Sequence, residues 1–113
     1  TRVLVVSAPD RNETTLIKLQ HDIASMPEEF SDRDMVLVTL LDSGTSAAGN
    51  RKLTTAEAAE SRAALGIQSG SFALRLIGKD GSVKLSTDSA APMTESYALI
   101  DTMPMRRRDK SDR

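Results

Sequence analysis

Two apolar runs constrain this chain more than anything else in it: Val3-Leu4-Val5-Val6 and Met35-Val36-Leu37-Val38-Thr39-Leu40-Leu41. Neither alternates polar with apolar, so each reads as a strand covered on both faces. The strands are expected over Arg2–Ala8 and Asp34–Leu41. Between them Leu16, Leu19, Ile23 and Met26 recur every three or four residues, which is one face of a helix. Two buried strands joined by a helix form a βαβ unit, with the strands parallel and the crossover right-handed. Pro9 has no amide hydrogen to give to a ladder and is expected to stop the first strand. Asp10 followed by Glu13 reads as a capping box with Asp10 as N-cap. Pro27 is expected to end the helix.

The second half of the chain changes pattern. Asp42 to Lys52 is small and polar and reads as a loop. Thr54 and Glu57 form a second capping box, which starts a short helix running to Leu65. Gly66 suits the left-handed position after it. The alanines of this helix (Ala56, Ala58, Ala59, Ala63, Ala64) allow close packing on a sheet. Phe72–Ile77 and Ser82–Ser86 are two alternating runs around Asp80-Gly81, a strong hairpin signal. Lys84 falls on the side of its strand opposite Val83 and Leu85, where a lysine blunts an exposed sheet edge. A last helix begins near Pro92–Thr94, with Met93, Tyr97, Leu99, Ile100 and Met103 giving it an apolar side, and Pro104 ends it. The order β-α-β-α-β-β-α is that of a thioredoxin-like three-layer α/β sandwich with a four-stranded mixed sheet. Another small α/β sandwich with a different strand order is the alternative architecture.

With 113 residues the chain is expected to form one domain over residues 1–105, followed by a basic tail over 106–113. Phe30, Phe72 and Tyr97 are the whole aromatic set, so the core must be aliphatic. There is no cysteine, which removes disulfides, thiolate metal sites and thiol catalysis. No stretch approaches the ~20 apolar residues of a membrane-spanning helix, so an integral membrane protein is not expected. Residues 104–113 hold five basic residues against two acidic ones, a charge of +3, which leaves −4 on the rest of a chain whose net charge is −1. The isoelectric point of about 5.8 and the absence of a basic face in the body argue against nucleic-acid binding.

Several motifs carry a family resemblance across nearly the whole chain. Arg2-Val3-Leu4-Val5-Val6-Ser7-Ala8-Pro9, the Arg33-Asp34 pair, the run from Leu76 to Leu85 around Gly78-Lys79-Asp80-Gly81, and Ala98-Leu99-Ile100-Asp101-Thr102-Met103-Pro104-Met105 with its following arginines together resemble the family of domain of unknown function 4174. The resemblance implies a thioredoxin or peroxiredoxin relative. Similar domains occur within extracellular matrix proteins that carry sushi repeats, and bacterial members are commonly exported. A periplasmic or extracellular location is therefore the expectation, with no signal peptide in the chain itself and room for a leader before Thr1.

The candidate contacts follow from the expected fold. A thioredoxin-like fold aims the first helix at its active site, which places Asp10, Arg11 and Asn12 there. Asp10 and Glu13 would fill the anion-friendly helix start, leaving Arg11 and Asn12 to face a ligand. The loop before the hairpin, Gln68-Ser69-Gly70-Ser71, stands where redox members carry a cis-proline, and no proline occurs between Pro27 and Pro92. Thiol oxidoreductase and peroxidase activities are thus excluded on two counts. Lys79 and Lys84 on the hairpin, with Arg106 and Arg107 after the last helix, suggest a weak patch for an anionic partner. His21 alone cannot build a histidine metal site, and Asp34 with Asp42 is a weak signal for paired acid–base carboxylates. No cofactor is implied. The expectation is a non-catalytic module that binds a protein or a small anionic ligand. The alternative is a cysteine-independent enzyme using the Asp10-Arg11 corner and the Ser69–Ser71 loop.

Overall fold

The structure, a computed structural model, describes residues 1–88 and 93–102, apart from the Thr94 side chain. Among these residues six strands form one mixed sheet: β1 Arg2–Asp10, β2 Met35–Ser43, β3 Ala47–Ala48, β4 Arg51–Lys52, β5 Ala73–Ile77 and β6 Val83–Thr87, in the order β4-β3-β2-β1-β5-β6. Four helices accompany it: α1 Thr14–Ser25, α2 Pro27–Asp32, α3 Thr55–Ala64 and α4 Met93–Asp101. The expected parallel pair is present, with Val3 beside Val36 and Val5 beside Val38. On its other side β1 pairs antiparallel with β5, Val5 beside Arg75.

Alternation along β1 divides the core. Leu4, Val6 and Ala8 face a cluster with Leu16 and Leu19 of α1 and Met93, Tyr97 and Ile100 of α4. Val5 faces the other way, onto Leu40, Ala73, Ile67 and Ala58 of α3. Helices therefore cover both faces, and the central strand is apolar on both, as its sequence requires. Of the α3 alanines only Ala58 is buried. The helix rests on the sheet by one side, and the other four alanines lie in solvent.

The strand count departs from the expected four. The segment 42–52, read as loop, adds β3 and β4 to the open edge of β2. Ala48 pairs with Arg51 across Gly49-Asn50, a two-residue hairpin turn. Pro9 does not stop β1, which continues until Asp10 pairs with Ser43. On the opposite side β5 has already ended at Ala73 beside Ser7, so the tip of β1 has only one neighbour. Pro27 ends α1 but also opens α2. Its missing N–H costs nothing at a first helical position, and Glu28 and Glu29 suit the positive helix start.

Several local expectations hold. Thr54 Oγ1 accepts from the Glu57 amide at 3.0 Å while Glu57 Oε1 accepts from the Thr54 amide at 2.9 Å, a complete capping box. At the other end Gly66, with φ +65°, donates its N–H to Ala63 O, and Ile67 donates to Arg62 O. These two bonds are a Schellman closure, and they turn Ile67 into the core. The β5–β6 hairpin is antiparallel as expected, closed by Gly78 N–H to Ser82 O at 2.9 Å. Met103 and Pro104, expected at the end of the last helix, lie outside the described residues.

Two predictions follow from this frame. Arg33, 8% exposed, donates Nε and Nη2 to the two carboxylate oxygens of Asp101 at 3.1 and 2.8 Å. Asp101→Ala would leave a buried guanidinium half paired and should cost about 2–3 kcal/mol. That corresponds to a fall of roughly 10 °C or more in melting temperature, and a thermal melt unchanged within 2–3 °C would contradict it. In the hairpin, Asp80 accepts from the Ser82 amide, Lys84 Nζ and Ser82 Oγ, which holds its carboxyl well below the usual carboxylate range. The folded state then binds this proton less readily than the unfolded state. The contribution of Asp80 is present above the unfolded value of about 3.9 and is lost as pH falls below it. NMR titration of the Asp80 carboxyl should show a midpoint below that value, and Asp80→Asn should remove this part of the acid sensitivity.

Candidate functional site

The strand-to-helix corner after β1 is built from local hydrogen bonds. Asp10 Oδ1 accepts from the Asn12 backbone N–H at 2.8 Å, and the Glu13 N–H approaches Asp10 O at 3.3 Å. The expected side-chain bond of Asp10 is therefore made, but Asp10 does not cap the helix. Glu13 is the N-cap, its Oε2 accepting from the Leu16 amide at 2.8 Å. The shift has a simple cause: while Asp10 still pairs with Ser43, its backbone is strand, and the helix cannot start until the turn at Arg11 and Asn12 is complete. Both of those residues are exposed.

The loop before β5 meets the same end of the sheet. Gly70 donates its N–H to Asp42 Oδ2 at 2.6 Å, and Asp42 Oδ1 lies 3.7 Å from Arg62 Nε. Asp42 is thus the joint between the end of β2, the end of α3 and the Ser69–Ser71 loop. Since Asp10 pairs with Ser43, the Asp10–Asn12 corner adjoins that joint. Asp10, Arg11, Asn12, Ser69 and Ser71 are all exposed at this end. A cavity of about 40 Å³ opens beside it, lined by Asp42, Gly44, Ser46, Thr54, Thr55 and Arg62 among others. Neither Asp10–Asn12 nor Ser69–Ser71 lines it, so the two loops present surface and not an enclosed pocket.

The basic candidates lie elsewhere. Val3 pairs with Ile77, which puts the hairpin turn at the opposite end of β1. There Lys79 faces Asp34 at 3.6 Å and Lys84 faces Asp80 at 3.0 Å. Their charges are matched by neighbouring carboxylates, so they are no open anion site. Arg106 and Arg107 lie outside the described residues. Asp34 and Asp42 stand at opposite ends of β2, so they are not an acid–base pair. His21 is exposed on α1. Among the described residues no cluster of three or more His, Asp or Glu side chains could hold a metal ion, and no helix is long and apolar enough to cross a membrane.

Residues the sequence reading left without a role carry most of the polar architecture. Arg33 bonds Asp101 and Glu29 and lies over the Tyr97 ring at 4.5 Å. Burial opposes its charge, but the bonds to Asp101 and Glu29 outweigh that and keep it charged. Asp42 and Arg62 were passed over because an acid at a strand end and an arginine in a last helical turn are ordinary. Only their spacing in three dimensions marks them. A model of the family described as Domain of unknown function (DUF4174) matches residues 1–109. No curated protein and no solved structure matches the chain.

The corner separates two capping schemes by experiment. Glu13→Ala removes the observed cap and should cost about 1 kcal/mol. Asp10→Ala removes one exposed turn bond and should cost about half as much. Thermal melts that reverse this order would overturn the assignment of Glu13 as the cap.

Proposed function

Starting from the premise that this chain belongs to the family of domain of unknown function 4174, we propose that it is a non-catalytic, thioredoxin-like contact module. Its working surface is the end of the sheet formed by Asp10–Asn12 and Ser69–Ser71. The strand order β2-β1-β5-β6, with a parallel first pair and an antiparallel hairpin, supports the thioredoxin-like reading. So does the distribution of α1 and α4 on one face and α3 on the other. Leaving β1 the chain goes to one face, and leaving β2 it passes to the other. In open α/β sheets the strand ends where connections diverge in this way are where ligands bind.

The observation that carries the proposal is the Asp42–Gly70 bond of 2.6 Å. It fixes the loop that replaces the redox proline against the strand whose end adjoins Asp10. Two exposed polar loops are held in one place without thiol chemistry. The carboxylates of Asp10 and Glu13 are committed to backbone amides, which disfavours an anion at the helix start and favours a protein surface as the partner. Catalysis by Ser69 or Ser71 would need a base beside them. The carboxylate tied to their loop, Asp42, is engaged with the Gly70 amide and faces Arg62. The family resemblance adds the proposal that the module works after export.

A combined Arg11→Ala, Asn12→Ala, Ser69→Ala, Ser71→Ala variant tests the surface. It should melt within a few degrees of the parent, since these side chains are exposed. A binding partner identified with the parent should bind it at least tenfold more weakly. Undiminished binding would move the contact surface elsewhere. The pure protein should reduce no insulin disulfide and turn over no peroxide; either activity would overturn the non-redox assignment.

A further inference from the structure

Arg62 is the charged side chain whose surroundings satisfy it least. It is 11% exposed, its Nη1 is buried without a partner, and its guanidinium makes no hydrogen bond among the described residues. Its one opposite charge, Asp42 Oδ1, stands 3.7 Å from Nε, beyond good hydrogen-bond reach. A buried donor of a charged group without an acceptor is costly. The cavity of about 40 Å³ lies at this guanidinium, bounded by Asp42, Ser46, Thr54 and Thr55. Its exposed residues Gly44, Thr54 and Thr55 form the mouth.

We propose that this cavity is a subsite for one neutral hydroxyl group of a small polyol. The volume decides the size: a water occupies about 30 Å³ of liquid, so one oxygen-bearing group fits and a phosphate does not. The charge decides the chemistry. Arg62 and Asp42 cancel, and near the helix start Arg51 cancels Glu57 at 3.3 Å, so the cavity favours neither anion nor cation. A hydroxyl meets both walls, its oxygen accepting from Arg62 Nη1 and its proton going to the Asp42 carboxylate. Ser46 Oγ already accepts from the Leu41 amide at 2.8 Å and is fixed as a wall. This subsite is distinct from the outer contact loops and stands without them.

The test follows the Arg62 Nε–Hε NMR signal of the whole protein while ethylene glycol or glycerol is added. Sodium acetate and sodium chloride at matched ionic strength serve as anion arms. The glycols should give a saturating shift, and Arg62→Lys should weaken it at least tenfold. A crystal structure of the parent soaked in ethylene glycol should place an oxygen within hydrogen-bond reach of Nη1, which holds the proposal to account even if Arg62→Lys does not fold. A shift that stays linear in glycol, or tighter saturation by acetate, would overturn it. The four-residue loop variant should keep glycol binding unchanged; loss of binding there would place the site at the loops and overturn the assignment to this cavity.

Discussion

A buried guanidinium organises the end of the molecule where β1 and β2 begin. Arg33 sits at the end of α2, one residue before Asp34 takes a φ of +50°. Its planar fork meets the Asp101 carboxylate with two hydrogen bonds, Glu29 takes another on Nη1, and Tyr97 stacks beneath it. Its own carbonyl accepts from Arg2 Nη1 at 2.7 Å, and Arg2 is fully buried at the start of β1. One residue thereby ties the start of the central strand, the helix before β2 and the last helix. Arginine can do this where lysine cannot, because its donors form a rigid fork that matches a carboxylate. The last helix is held at its other end by Asp22 of α1, whose Oδ2 accepts the Met93 amide at 3.1 Å. Both ends of α4 are thus anchored by side chains distant in sequence, over an apolar side already buried on the sheet.

The opposite end of the sheet is looser and more polar. There the strands stop, the connections part to the two faces, and single bonds hold exposed turns. Asp42 ties the Ser69–Ser71 loop, Asp10 ties its own turn, and Ser46 continues the edge of β2 by accepting the Leu41 amide in place of a strand partner. A fold with one locked end and one end of tethered loops suits recognition, since the loops vary without disturbing the core.

Much of this was legible because it is local. The Thr54–Glu57 box, the Gly66 closure and the Asp80-Gly81 hairpin depend on residues within six positions of one another, so side-chain chemistry alone specifies them. The two-faced apolar runs announced a central parallel pair, because only a strand covered on both sides can lack polar positions. The small hairpin of β3 and β4 carried a signal, Gly49-Asn50, but its two-residue strands have no alternation to read. They exist because β2 offers a free edge, which is a tertiary fact. The misplaced cap has the same origin: Asp10 and Glu13 are both competent caps, and pairing with Ser43 decided between them.

By itself, then, the sequence determined the kinds of element, their order, the aliphatic core and the absence of thiol chemistry, since composition and short-range hydrogen bonding suffice for each. The tertiary structure alone decided which charges are neutralised. It matched Lys79 and Lys84 with Asp34 and Asp80, set Asp34 and Asp42 at opposite ends of one strand, joined Arg33 to Asp101 across 68 residues, and left Arg62 over a small cavity. The physical reason is range. A helix or a turn is settled by neighbours along the chain, whereas the partner of a charge is settled by whatever the packed core brings within about 4 Å, and no pattern of spacing along the chain encodes that distance.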